Sequence, residues 1–364
     1  MNGRSLVSAR ADGFSRAWLG TREEGNVDCI ALLPNVLNVE WWHDSLRFSA
    51  LRGTKVIVWA GMPSYETRCA EFPPGTRTIS LREHLGMHEE KFVVQLFDGS
   101  ELLDERVFVV PLATPRLITS VERTAPAKKA PEEMVEIPGG DYPFRMSDTQ
   151  VPNPVVPYPD YAKPRVMSMK RFFMDRYPVT NEQFKAFLTA TKYRPKDLTN
   201  FLRHWVNGKI PKGKEKHPVI CVSLEDARAY ARWAGKRLPT GIEWQYASQG
   251  ADGRKYPWGN DFDSTKCNNA LNVTTPVDAF PDGKSPFGVM DLIGNVWQLT
   301  NDVYDNGSYY YGTLRGGSNY YPKSSEWYVT GGPWPVDQQQ MLLMVSPSFD
   351  RSETVGFRCV KDVE

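Results

Sequence analysis

Two imidazoles and a carboxylate, His84, His88 and Glu90, stand in the spacing H-x-x-x-H-x-E. Nitrogen and oxygen donors of this kind suit non-haem Fe(II), and they would give the chain a metal-dependent oxidation. The spacing falls among short β-like runs, with only His43 upstream as a third imidazole, so solvated surface histidines are the plainer reading. A second group, Asn319, Tyr320, Tyr321, Glu326, Trp327, Tyr328 and Trp334, combines rigid aromatic area with adaptable hydrogen-bonding groups. Residues of these types anchor protein, peptide or glycan ligands, although part of such a group also packs a loop-rich core. Five cysteines, an odd number without any C-x-x-C pair, exclude zinc-ribbon and thioredoxin-type chemistry. Cys29 and Cys69 share one proposed domain and can pair in an oxidising compartment; buried free thiols are the expected state.

The elements that must position these groups divide the chain. At 364 residues two domains are the default expectation. Hydrophobic residues at 41% and charged residues at 24% describe a globular chain able to bury a core. A formal net charge of +1 supplies no reason to invoke nucleic acid or an anionic membrane. No run approaches the ~18 apolar residues of a membrane span. The N-terminus lacks the apolar core of a signal peptide, which makes the chain cytoplasmic as written, or extracytoplasmic if a leader has been removed.

Residues 1–20 are polar and expected to be a flexible N-terminus. Residues 21–113 hold short β-like runs, among them Val56–Ala60, Phe92–Phe97 and Arg106–Val110, which predict a small antiparallel β-sandwich of immunoglobulin type. Residues 114–133, with a Pro/Ala/Lys stretch that has nothing to bury, predict a semi-extended linker. Residues 134–364 form the second domain. Three helix starts are signalled there by capping-box pairs: Thr180 with Gln183, Ser223 with Asp226, and Thr240 with Glu243. Past Gly250 the chain mixes Gly, Pro, Asn and aromatic residues and loses helical period. Met341–Val345 reads as a buried strand. The fold class is α+β.

Four separated landmarks carry a family resemblance. They are Lys236-Arg237-Leu238-Pro239-Thr240-Gly241-Ile242-Glu243-Trp244, Gly294-Asn295-Val296-Trp297-Gln298, Arg315-Gly316-Gly317-Ser318 and the terminal Gly356-Phe357-Arg358-Cys359. In this order the chain resembles the formylglycine-generating enzymes, the sulfatase-modifying factors, over about 134–364. The resemblance implies a decorated C-type-lectin-like fold. It also implies two copper-binding cysteines shortly after the RGGS motif, but the matching positions here are Tyr321 and Glu326. Copper(I) prefers thiolates, so no copper and no catalytic residue are expected. A structural Ca²⁺ is implied on Asp291, Gly294, Val296 and Gln298, where the family's glutamate has become Gln298. The resemblance further places the substrate cleft along the aromatic segment after RGGS. The H-x-x-x-H-x-E spacing resembles the iron site of sulfoxide synthases that share this C-terminal fold. The expectation is therefore a non-catalytic binding protein, and its rival is a non-haem oxidoreductase using His84, His88 and Glu90.

Overall fold

The computed structural model describes residues 6–9, 17–20, 35–42, 45–63, 68–86, 91–109, 116–146, 165–306, 308–321, 331–346 and 350–364. The chain is sheet-rich with few helices and divides into two compact units, Met1–Arg116 and Leu117–Glu364.

In the first unit, Leu6–Ala9 pairs antiparallel with Ala17–Gly20. Within the stretch expected to be flexible, these two short runs satisfy one another's backbone groups. A three-stranded antiparallel sheet joins Leu37–Trp42, Ser45–Ala50 and Gly75–Ser80. A four-stranded one orders Cys69–Phe72, Lys55–Trp59, Lys91–Asp98 and Glu101–Val109. Alternation drives both, since Leu46, Phe48, Val56 and Val58 are fully buried between partly exposed neighbours. Phe92, Val94 and Leu96 join residues of the three-stranded sheet in one apolar core. Helix α1 (Leu81–Leu85) follows the Ser80 cap.

In the second unit all three capping boxes close. Helices α2 (Asn181–Thr191), α3 (Leu224–Trp233) and α4 (Gly241–Gln249) each start at the signalled residue, with side chain and backbone bonded reciprocally. Phe184 stacks on Tyr230 at 5.8 Å between ring centroids and meets Phe357 edge-on at 6.3 Å. Helices α2 and α3 are thereby locked onto the five-stranded sheet that contains Trp297–Asp305, Tyr310–Arg315, Gln340–Leu343 and, in parallel pairing, Val355–Phe357. Within Gln340–Leu343 only Met341 is buried. Leu343 and Val345 are exposed, because this strand lies at the end of the sheet.

The stretch read as a linker behaves differently from a free spacer beyond residue 116. Ile118 donates to the Val303 carbonyl at 2.8 Å, Thr124 to the Asp362 carboxylate at 2.6 Å, and Ala127 to the Asp362 carbonyl at 3.0 Å. Its backbone lies against the second unit, where strand Trp297–Asp305 and the last strand, Val360–Asp362, supply the acceptors; composition alone carries no trace of that.

Candidate functional site: a pocket beside the RGGS turn

At the end of strand Tyr310–Arg315 the chain reverses through Gly316 and Gly317, at φ +87° and +78°. A Cβ on Gly316 would stand 2.2 Å from the Leu292 carbonyl oxygen, and one on Gly317 would stand 2.2 Å from that of Gly332. Only glycine accepts both the backbone conformation and the approach. The turn delivers Ser318 to Gly332, whose carbonyl accepts from the Ser318 N–H at 3.0 Å, and Gly332 donates back to Tyr320 at 3.0 Å. Residues 318–321 and 332–334 are thus held together at the base of a loop.

Asn319 is 3% exposed, and both its backbone and side-chain N–H groups donate to the Asn295 carbonyl. Asn295, in the left-handed region at φ +55°, holds the neighbouring segments in turn. It accepts from Thr275 N at 3.0 Å and donates to the Asp291 carboxylate at 2.8 Å. This network sets one side of a pocket of about 560 Å³ lined by Asn319, Tyr320 and residues 272–274. Asn181, His204, Lys214 and the Glu353–Thr354 turn also line it.

The Asn181 amide is fixed at both ends. Its Oδ1 accepts from Trp205 Nε1 at 2.9 Å, and its Nδ2 donates to the Lys214 carbonyl at 2.9 Å. Tryptophan only donates and a carbonyl only accepts, so the amide has one orientation. His204 Nε2, 2.8 Å from the same Oδ1, therefore carries the proton. That leaves Nδ1 as a lone pair, buried and without a partner among the described residues. Burial holds the imidazole neutral, with its pKa pushed down to about 4.

The aromatic group expected to bind ligand is divided by the structure. Tyr320 and Tyr321 are 43% and 45% exposed. Trp334 is 5% exposed and packs edge-on against Trp297 at 5.1 Å, so it belongs to the core and not to a binding face. Glu326, Trp327 and Tyr328 lie outside the described residues. The Tyr321 ring stands where a Cβ on Gly332 would meet its hydroxyl and Cζ at 2.2 Å, so a phenol leans on the loop base at the position where the resemblance placed a thiolate.

Copper does not fit the described groups. No cysteine stands between Arg315 and Phe357. Cys221, Cys267 and Cys359 are buried, and burial raises all three thiols, Cys221 to about 11 and Cys267 to about 12. Cys69 is a free, exposed thiol, contrary to the buried state expected for it.

The residues named for Ca²⁺ are arranged around a cation of another kind. Gln298 Oε1 accepts from Trp244 Nε1 at 2.8 Å and from Arg358 Nε at 2.7 Å, and both partners can only donate. Arg358 also donates to the carbonyls of Met290 and Asp291, at 2.8 and 2.9 Å. Both lone pairs of the Gln298 oxygen are engaged by these two donors, so the residue implied as a calcium ligand serves in this structure as a guanidinium acceptor. Gly294 and Val296 belong to the same turn, and Asp291, with its carboxyl raised to about 7 by burial, is bonded to Asn295. Of the proposed iron set, His84 lies exposed on α1 with its ring edge-on to Phe72 at 5.1 Å. His88 and Glu90 lie outside the described residues. No group of three metal-binding side chains occurs among the described residues.

Asn181, His204, Lys214, Thr274 and Glu353 were not expected as site residues from the sequence. They come from four segments, His204 and Lys214 sharing one, and no spacing sets them side by side.

The sulfatase-modifying factor enzyme 1-like domain family matches residues 120–363, two thirds of the protein. The chain belongs to this family. Within it, the formylglycine-generating enzyme of Mycobacterium tuberculosis is 33% identical over 233 residues, covering 47% of this chain and 74% of the enzyme. The inactive C-alpha-formylglycine-generating enzyme 2 of Bos taurus is 29% identical over 276 residues, 62% of this chain and 87% of its own length. The serine/threonine-protein kinase Pkn1 of Chlamydia trachomatis is 32% identical over 247 residues, 64% of this chain. This chain spans only 38% of that kinase's length. Proteins of different names thus match parts of this chain.

Proposed function

We propose that this protein is a binding module on a sulfatase-modifying factor scaffold, with its ligand seated in the pocket beside the RGGS turn. The observation that carries this reading is the pocket's construction. Asn181 and Asn319 are buried amides whose orientations are set by bonds behind the pocket, and their rigidity means little ordering is left to be done by the ligand. A volume of about 560 Å³ lies within the roughly 300–1,000 Å³ typical of small-ligand sites. Tyr320 adds an exposed ring to its lining, a residue type that binds through area at low entropic cost. Formylglycine formation is not part of the proposal, since Tyr321 occupies a thiolate position. For the N-terminal unit the reading is an immunoglobulin-type sandwich, supported by the three- and four-stranded sheets that share one core.

A ligand-observed NMR screen of neutral and charged small-molecule fragments tests the binding reading. Fragments should bind the wild type and be lost in Val273→Trp, in which an indole at an exposed lining position fills the pocket. Fragments that bind the variant equally would place the site elsewhere. Incubating copper-loaded protein with a cysteine-containing sulfatase peptide, followed by mass spectrometry, tests the second half; a formylglycine product would overturn it.

A further inference from the structure

The charge of the second unit is concentrated on one segment. Between Lys192 and His217 the chain carries eight lysines and arginines against two acids, Asp197 and Glu215. The segment therefore has six net positive charges in a protein whose formal net charge is +1. Most of these side chains are exposed, and only Lys216 reaches an acid among the described residues, Asp278 at 4.0 Å. Apart from Lys216, these charges face solvent without an ion-pair partner among the described residues, and exposed charge of this kind contributes little to stability.

The segment also builds part of the pocket. His204, Pro211 and Lys214 all belong to it and all line the cavity. Two tight turns fix its course. Val206 and Lys209 exchange backbone bonds around Gly208, and Lys214 N donates to the Pro211 carbonyl at 3.0 Å around Gly213. The Lys214 carbonyl is then pinned by Asn181 Nδ2. Lys209 and Lys212 ride on these turns, exposed and close in sequence to the lining residues.

We propose that the pocket takes an acidic peptide segment of a partner protein, attracted by this basic stretch. The inference rests on the binding reading above and adds the chemistry of the ligand. The lining favours a peptide over a nucleic acid. Pro211, Ile220 and Val273 supply apolar surface for a side chain, and the asparagine amides suit a backbone. Glu353, the one acid in the lining, would repel a continuous phosphate chain, whereas a peptide can set a neutral residue beside it. Exposed Val206, Leu271 and Tyr321 lie near lining residues in sequence and extend the apolar character of the segments that form the pocket. An acidic peptide with apolar or aromatic residues between its acids meets both demands. Attraction through exposed charge is screened by salt and acts chiefly on association.

The test uses fluorescence anisotropy with the full chain and three labelled probes: a Glu/Tyr copolymer peptide, a Lys/Tyr copolymer peptide and a single-stranded oligothymidine of matched charge. The Glu/Tyr probe should bind best and weaken as salt rises. Its affinity should drop about tenfold or more, roughly 1.4 kcal/mol, in the triple variant Lys209→Glu, Lys212→Glu, Lys214→Glu. Val273→Trp should remove the binding, and a circular dichroism melt of each variant establishes that it remains folded. Equal or better binding of the Lys/Tyr peptide or the oligothymidine overturns the proposal. So does an absence of binding, or binding that survives either set of substitutions in the folded protein. If neutral fragments still fill the pocket while the acidic probe fails, the binding site stands and only its acidic ligand falls.

Discussion

Arg358 Nε donates to the side-chain oxygen of Gln298 at 2.7 Å, deep in the second unit where both residues are fully buried. Its remaining donors serve the carbonyls of Asp175, Arg176, Met290 and Asp291. One guanidinium therefore gathers the strand at 172–175, the 290–298 turn and the terminal Gly-Phe-Arg-Cys strand. Arg358→Met would leave several buried oxygens without donors, and a cost of about 3–5 kcal/mol is expected. Urea unfolding of the variant measures it. Because the Gln298 oxygen is spent on Arg358 and Trp244, adding a calcium chelator should leave the melting temperature of the wild type unchanged. A drop on chelation would show that oxygens elsewhere in this turn hold the ion.

The capping boxes give a more local prediction. Thr180→Ala and Thr240→Ala each remove a side-chain acceptor from the first turn of α2 or α4, and each should cost about 1 kcal/mol. Ser223→Ala should cost more, because its partner Asp226 also accepts from Tyr193 and Arg351 and would shift within a shared buried network. Equal losses at all three positions, measured by urea unfolding, would show that this network is indifferent to the cap.

These helices were legible for a physical reason. A capping box is a contact between residues three apart, so the sequence states it in full. The strands at 55–59 and 91–98 were legible through β-branched runs in the same way. The pocket was not. Asn319 and Tyr320 were found through their place after RGGS, but His204 and Asn181 meet only because α2 and the 200–217 loop pack together. The aromatic segment shows the limit from the other side. Residue type could not divide buried Trp334 from exposed Tyr320, because both pack well and both recognise well.

His204 offers a spectroscopic check. With Asn181 Oδ1 as its fixed acceptor, its nitrogen resonances should report the Nε2–H tautomer. No titration should be seen between about pH 5 and 8, since its pKa is lowered to about 4 by burial. The sign for stability follows. The unfolded chain binds a proton near the ordinary value of 6.5, the folded chain only near 4, so this group's contribution is complete above pH 6.5 and is lost as pH falls toward 4. An imidazole titrating near 6.5 would mean the Asn181 contact is open in solution.

Asp350 works in the opposite direction. Burial raises its carboxyl from the ordinary 3.8 to about 6; Arg351 opposes the shift, and Glu225 and Asp226 add to it. One of its oxygens is buried without a partner among the described residues. Between about pH 4 and 6 the folded protein holds this proton more firmly than the unfolded chain, so the group's contribution declines as pH rises through that window. Asp350→Asn should therefore stabilise by about 1 kcal/mol at pH 7, after allowance for solvent screening, and by nothing near pH 4. Thermal melts of both proteins across that range decide it; a constant difference at every pH would assign the effect to packing.

The division within the aromatic segment gives the last prediction. Trp334 buries its indole against Trp297 and donates its backbone N–H to the Gly316 carbonyl at 3.2 Å, so it closes the loop base behind the RGGS turn. Trp334→Ala should cost about 3–5 kcal/mol, as large-to-small changes in a core do. Tyr320 keeps 43% of its surface exposed, and its backbone carbonyl carries the bond to Gly332, which an alanine would retain. Tyr320→Ala should therefore change stability by less than about 0.5 kcal/mol. In the fragment screen the order should reverse. Tyr320→Ala should weaken binding several-fold in a protein that melts as the wild type does, because the ring lines the pocket. A Tyr320→Ala variant that unfolds early would make this tyrosine a second brace of the loop base. The recognition surface would then shrink to the amides, His204 and the basic stretch.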